Sequence, residues 1–543
     1  MRFRPLSLAT ALATALSAGV LLSGVVSAAP PAGAVQLDRG LRVHPLLQYG
    51  AQVEPNKLVQ VLVQKAAVGQ DSRAIAQAGQ SAQVREDFGL VNTSVMQIQQ
   101  KDVLQLAKDP RVLYISPDGD VPVKKNKDDQ RLTKAVQLLA SSGPGTVKSD
   151  GTPPDASKLL TTYPQDVQAP SAWDAKKGSL TGAGVTVAVL DTGVNPFHPD
   201  LNGKVFPVFV NPNATGYLDG LGHGTHIIGI IDGESPDDHY VGVAPDARVI
   251  SVKIADDHGS AHESDMLRGL QWVYDHRAEY NIKVLNLSLS AATPQSYHLS
   301  PIDAAVEALW RSGVTVVTSA GNRGTASDAT WYAPGNDPFV ITVGCLDDNQ
   351  TTTAKDDSVC SFSSRGATQD HISKPDLVAP GRKIYAPLAA KDAQLAIDYP
   401  DRISTDGAHI RLSGTSMATP VVSGAAAILL QRYPNLTPNQ LKWVLDSTAH
   451  HYTNEPDRAN ELSIAKAIEA AKGDLKDANQ NLHLASLFSV LGGANQGGVS
   501  STNSYWNNSY WDNSYWDNSY WDNSYWDNSY WDNSYWDNAG AID

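Results

Sequence analysis

Short runs of continuous apolar residues recur through the middle of the chain: Val185-Thr186-Val187-Ala188-Val189-Leu190, Ala247-Arg248-Val249-Ile250-Ser251-Val252, Val284-Leu285-Asn286-Leu287-Ser288-Leu289 and Val314-Thr315-Val316-Val317. Each fits a strand buried on both faces. Helix-like stretches separate them, at 223–231, 262–280 and 301–312. Strands alternating with helices predict an α/β domain, a doubly wound and mostly parallel sheet with helices on both faces. Sites in that architecture form at the carboxyl ends of strands. A longer segment, Val421 to Leu430, is apolar nearly all round and predicts a central helix. It follows Ser413-Gly414-Thr415-Ser416-Met417-Ala418-Thr419-Pro420. This reading puts Pro420 in the first turn, where a missing N–H costs nothing. It puts the Ser416 hydroxyl at a helix N-terminus, where unpaired N–H groups favour developing negative charge.

Upstream the pattern becomes alternating. Leu58–Val63, Val91–Gln99 and Val112–Ile115 read as strands, and 72–83 and 101–108 as helices. That order predicts a small α/β sandwich over 55–121. Residues 30–55, rich in Pro and Ala, read as a linker, and 122–162 as a polar, flexible connector. The main domain occupies 163–472, and a linker, Gly/Ser-rich towards its end, occupies 473–501. Residues 502–543 repeat Asn-Ser-Tyr-Trp-Asp with a period of five, which matches neither a helix nor a strand face. Two readings stand: an unstructured tail, or an adhesive one contacting glycans or the cell envelope through aromatic rings.

Composition narrows the partners. A net charge of −15 over 543 residues disfavours nucleic acid. Residues 1–28 read as a signal peptide: Arg2 and Arg4, an apolar run from Ser7 to Val26, then Val26-Ser27-Ala28. No later stretch is long and apolar enough to span a membrane, so a secreted protein is expected. In an exported chain the two cysteines, Cys345 and Cys360, are expected to form a disulfide across a short polar loop, stabilising by ~3 kcal/mol.

Four motifs carry the chemistry. Asp191 ends the first apolar run, in Asp191-Thr192-Gly193. His223-Gly224-Thr225-His226 opens the next helix. Ala320-Gly321-Asn322 leaves a further strand, and Ser416 starts the buried helix. The two histidines are three apart with no adjacent Glu, unlike a zinc-binding helix. Singly, each residue reads as a turn former or cap; together they fall at strand ends and helix starts of one α/β domain.

On these motifs the chain resembles the subtilase family of serine endopeptidases. Supporting segments are His198-Pro199-Asp200-Leu201, Gly242-Val243-Ala244-Pro245, Phe362-Ser363-Ser364-Arg365-Gly366 and Lys374-Pro375-Asp376-Leu377-Val378-Ala379-Pro380-Gly381. The resemblance covers 165–472, and acid, base and nucleophile come in the order Asp, His, Ser. It implies a catalytic triad of Asp191, His223 and Ser416, with Asn322 holding the oxyanion. Ser288, Leu289 and Ser290, with Ala320 and Gly321, would flank the substrate. Ser290 stands where the family usually has Gly, and Arg323 follows Asn322, so a preference for acidic or small side chains is expected. His226 is expected to be structural. The chemistry requires no metal or organic cofactor. A structural calcium is expected at Asp200, near the acidic loop Glu234–Tyr240. The segment 55–121 is similar to the family's inhibitory propeptide. Protein or peptide substrates and the chain's own propeptide, within an autoprocessed zymogen, are the implied partners. The alternative is a surface adhesin on a subtilase scaffold, which the intact Asp191, His223, Asn322 and Ser416 disfavour.

Overall fold

The computed structural model describes residues 42–121, 152–451 apart from 175, 177, 202 and 354, and 460–480 with 482. The predicted signal peptide, most of the connector and the pentapeptide repeats lie outside the described residues.

The small N-terminal domain is a four-stranded antiparallel sheet, in the order Gln83–Phe88, Thr93–Gln99, Leu58–Lys65, Val112–Pro117. Val61, Val63, Met96, Ile98 and Ile115 form its core with Val103 and Leu106 of the helix Gln100–Leu106. Three expectations are corrected. Residues 45–53, read as linker, form a helix with Pro45 in its first turn and His44 accepting the Leu46 N–H. The helix expected over 72–83 stops at Ala76, continues as a 3-10 turn to Gly79, and residue 83 already begins a strand. That strand went unseen because it lies at the sheet edge and is mostly polar.

The main domain is built on parallel strands in the order Val205–Phe209, Arg248–Lys253, Thr186–Asp191, Ile282–Leu287, Thr315–Ser319, Ile341–Asp347, Leu377–Pro380, Asn460–Glu461. His450–His451 adds an antiparallel edge. The chain order reverses around Thr186–Asp191, whose neighbours are Arg248–Lys253 on one side and Ile282–Leu287 on the other. Asp191 therefore ends a strand at the switch point, where such sheets open a crevice. The helix Thr415–Arg432 is buried through Leu430 and packs on the strands Ile282–Leu287, Thr315–Ser319 and Ile341–Asp347 and on the helix His223–Asp232. Its small residues allow this: a Cβ on Gly424 would lie 2.6 Å from Val243 Cβ. Cys345 and Cys360 are joined, with Cα atoms 5.4 Å apart. Packing continues past residue 472, the expected boundary: Asn479 is buried and donates to Phe339 O at 2.9 Å.

The N-terminal domain lies against the start of the helix Glu263–His276. Arg268 binds Glu86 through Nε–Oε1 at 3.0 Å and Nη2–Oε2 at 2.5 Å. The Asp118 carboxylate accepts the Ser264 N–H at 2.8 Å, and Gly119 O accepts the Glu263 N–H at 2.9 Å. Asp120–Val121 then pairs antiparallel with Ala261–His262. The last described residues of the small domain thus add a strand to the large one.

Candidate active site

Asp191 and His223 are both buried, and Asp191 Oδ1 accepts from His223 Nδ1 at 2.8 Å. The same oxygen accepts the Thr192 N–H at 2.7 Å. A carboxylate facing Nδ1 fixes the proton there and leaves Nε2 as the basic nitrogen. The approach requires Gly224: a Cβ at that position would lie 2.2 Å from Gly193 O and 3.2 Å from Asp191 Cβ.

A residue that sequence reasoning missed holds this pair in place. The helix His223–Asp232 opens on Gly222, which has no side chain to cap it. Buried Asp219 supplies the cap from a distance. It accepts the Gly222 N–H at 2.8 Å, the Thr225 N–H at 2.8 Å and the Thr225 hydroxyl at 2.7 Å. It also accepts the Thr192 hydroxyl at 2.8 Å, and Thr192 Oγ1 in turn accepts the Gly224 N–H at 3.0 Å. One carboxylate therefore clamps both the loop after Asp191 and the helix carrying His223. Burial pushes its carboxyl upward, and the hydrogen bonds from Thr225, Gly222 and Thr192 oppose that rise. The usable signal was a helix starting on Gly with an Asp three residues ahead.

Ser416 is the second residue of its helix. Pro420 sits at the sixth position, not in the first turn as expected, and so removes the N–H that would bond to Ser416 O. Ser288 Oγ takes that place, donating to Ser416 O at 2.9 Å. Asn286 Nδ2 donates to Ser288 Oγ at 2.9 Å, and Ser423 Oγ to Asn286 Oδ1 at 2.8 Å. All three side chains are buried. Asn322 joins the same helix start: its Oδ1 accepts the Thr415 N–H at 2.9 Å and the Thr415 hydroxyl at 3.1 Å. With the oxygen so engaged, the amide NH₂ is the end left to face a ligand.

The segments expected to flank substrate lie beside these groups. Gly321 N–H donates to Thr415 Oγ1 at 3.2 Å, Ala320 N–H to Val343 O at 2.9 Å, and Leu289 is buried next to Ser288. Ser290 is half-buried. Arg323 Nη2 pairs with Asp328 at 2.7 Å, and Nη1 donates to Tyr332 Oη at 2.6 Å. Its charge is already matched, which removes the basis for expecting attraction of acidic side chains.

His226 is buried, and its Nε2 faces Ile384 O and Ile410 O at 3.1 Å each; burial lowers its pKa to about 3. That is the structural role expected. Asp200 differs from expectation. Its Oδ2 bonds to His409 Nε2 at 2.8 Å, and His198 Nδ1 lies 3.6 Å from Oδ1. Glu234, in the loop proposed to share a cation, is tied to Lys204 Nζ at 3.0 Å. Imidazole and ammonium partners in place of oxygen ligands do not fit calcium at Asp200.

A parallel α/β sheet carries a carboxylate–imidazole pair at its switch point and a serine helix start tied to an asparagine amide, the layout of a nucleophilic hydrolase. The model of the Subtilase family matches residues 182–485, more than half of the chain. The chain belongs to that family. It is 40% identical over 287 residues to Serine protease AprX of Bacillus subtilis (strain 168), across 51% of this chain and 64% of that protein. It therefore spans slightly under two thirds of that relative's length. It is 31% identical over 372 residues to Subtilisin E of the same strain, across 68% of this chain and 79% of that protein. Fervidolysin from Fervidobacterium pennivorans shares the fold, with a TM-score of 0.56 and 24% identity over 78% of this chain and 62% of that one.

Proposed function

We propose that this chain is a secreted serine endopeptidase made as a zymogen, with residues 55–121 as its intramolecular inhibitor. The observation that carries the reading is the 2.8 Å contact between Asp191 and His223 Nδ1. Ser416 Oγ attacks the peptide carbonyl while His223 Nε2 takes its proton. The imidazolium, stabilised by Asp191, returns that proton to the leaving amine. Water then repeats the cycle on the acyl-enzyme. The Asn322 amide, oriented by Thr415, and the Ser416 N–H hold the oxyanion. No metal enters these steps. Ser288-Leu289-Ser290 and Ala320-Gly321 line the substrate strand.

Support for self-inhibition comes from the strand Asp120–Val121 laid antiparallel on Ala261–His262. The two segments form a two-stranded ribbon of their own, and a peptide paired in this way gains main-chain bonds whatever its sequence. The deciding experiment is mass spectrometry of the secreted product, wild type beside Ser416→Ala, with peptide hydrolysis assayed in parallel. Wild type should lose the segment before about residue 152 and cleave peptide; Ser416→Ala should stay full-length after signal removal and be inert. Equal processing of both would refute self-cleavage.

A further inference from the structure

Away from the active site, three carboxylates from distant parts of the chain converge. Asp166 ends the helix Tyr163–Asp166, Asp357 precedes the strand Ser358–Val359, and Glu461 lies in the strand Asn460–Glu461. One oxygen from each lies within 4.8 Å of the others. Asp166 is 7% exposed and Glu461 2%. Both Asp166 oxygens are buried and accept no hydrogen bond from an N–H or hydroxyl donor; the group they face is the Glu461 carboxyl. After burial, the largest influences on Asp166 are the charges of Glu461, Asp357 and Asp348, which raise its pKa. Asp348 is engaged separately, accepting from the Thr162 hydroxyl at 2.5 Å and the Gln350 N–H at 3.0 Å. Buried like charges at this spacing repel, and either a shared proton or a bound cation relieves that repulsion.

We propose that Asp166, Asp357 and Glu461 bind a calcium ion. The donors are all oxygens, which suit a hard cation. Calcium–oxygen distances of 2.3–2.6 Å allow two ligands of one ion to lie up to about 5 Å apart; magnesium, at about 2.1 Å, requires a tighter set. The ion would join three separate parts of the domain. The helix Tyr163–Asp166 is one; the residue after it already holds the start of the helix Ile464–Ala470, whose Ile464 N–H donates to Val167 O at 3.1 Å. The disulfide loop ending at Cys360 is the second. The strand Asn460–Glu461 is the third, with His450 opposite Glu461 across the antiparallel pair. The site thereby pins the start of the main domain to its end.

The test is thermal unfolding of the EDTA-stripped full-length protein, carried as Ser416→Ala to prevent self-digestion, during titration with calcium chloride. Calcium at saturating concentration should raise the Tm by about 5 °C or more. Asp200→Asn should keep that rise, while Asp166→Asn and Glu461→Gln should each abolish it. If either of those two variants fails to fold, Asp357→Asn takes its place. Equilibrium dialysis should show one calcium fewer per chain in Asp166→Asn than in its parent. No rise in the parent, or an undiminished rise in Asp166→Asn, overturns the proposal. So does a Tm that climbs on acidification from pH 8 to 5 without any response to calcium, which would identify a proton shared by Asp166 and Glu461.

Discussion

The hydroxyl of Ser288 donates to the carbonyl oxygen of Ser416 at 2.9 Å, in the place that Pro420 leaves open in the helix ladder. Two segments expected to serve different ends, one flanking substrate and one bearing the nucleophile, are thus held by a single buried bond. Ser288→Ala would leave Ser416 O without that donor, at a cost of about 1–3 kcal/mol in stability. The same change should lower kcat more than it raises KM, because the nucleophile's backbone loses its tether. Chemical denaturation and steady-state kinetics check both. Unchanged kcat with reduced stability would confine the bond to a structural role.

Asn322 and Thr415 form a second tether. Asn322→Ala should lower kcat about 10²–10³-fold with little change in KM, the magnitude known for loss of such a donor in subtilisin. Thr415→Val should fall between that variant and wild type, because the Thr415 N–H still holds Asn322 Oδ1 after the hydroxyl is lost. A Thr415→Val enzyme as slow as Asn322→Ala would show that the hydroxyl, not the N–H, sets the amide's orientation.

Asp219 is predicted to act through others. Asp219→Asn keeps one acceptor and turns an NH₂ towards donors such as the Thr225 or Gly222 N–H. Loss of a buried, multiply bonded carboxylate should destabilise by about 3 kcal/mol. It should also alter the pH profile of kcat/KM by displacing His223. An unaltered profile in a variant that is merely less stable would reduce Asp219 to a cap.

The parallel strands through 185–190, 247–252, 284–289 and 314–317 were legible because burial on both faces leaves unbroken apolar runs. The helix starts were legible from His223 and Ser416. What escaped depends on tertiary contacts. Val205–Phe209 is a half-exposed edge with Pro207 inside it. Asp219 reads locally as a turn residue, and only its four donors reveal the clamp. Asp200 matched a motif, but the imidazole that takes its carboxylate lies 209 residues away. The Asp166–Asp357–Glu461 cluster spans almost 300 residues, and no local spacing announces it.

The contact between the small domain and the large one should weaken as pH rises. His262 pairs with Asp120 at 3.3 Å, and its pKa is raised to about 9, first by the hydrogen bond to Asp265, with Asp118 and Asp120 adding. The Asp265 bond belongs to the large domain and is there without docking, so only the Asp118 and Asp120 contributions are gained on docking; that part is present while His262 is charged and lost as pH climbs through 9. Glu263, whose N–H bonds to Gly119 O, is pushed to about 8 by burial and then by the Asp118 charge, despite bonding to Thr293. Ionising it beneath the small domain opposes docking over the same range. Inhibition by the separate 30–121 segment should therefore weaken from pH 6 to pH 9.5, and His262→Asn should flatten part of the trend. Tighter inhibition at alkaline pH would contradict the assignment.

Stability of the main domain should carry an opposite-end marker at His409. Its Nε2 faces Asp200 Oδ2 and its Nδ1 faces Asp406 Oδ2, both at 2.8 Å, so the protonated ring donates to a carboxylate from each nitrogen. Tyr240 stacks on it with centroids 3.7 Å apart. Burial opposes the charge, but the bonds and charges of Asp200 and Asp406 outweigh it, and the His409 pKa rises. Asp406 is held down at about 2, against its own desolvation, by bonds from Ser404 and Ala408 and by His409; it stays ionised throughout. His198, edge-on at 5.7 Å, has its pKa lowered by burial. A group whose pKa is higher folded than unfolded stabilises fully below its unfolded value, here near 6.5, and ceases to do so as pH rises through its folded value. Denaturation of the Ser416→Ala protein should therefore show a loss of stability above pH 6.5 that His409→Gln lacks. Parallel pH dependences in the two proteins would mean that His409 is neutral and donates to only one of the two carboxylates.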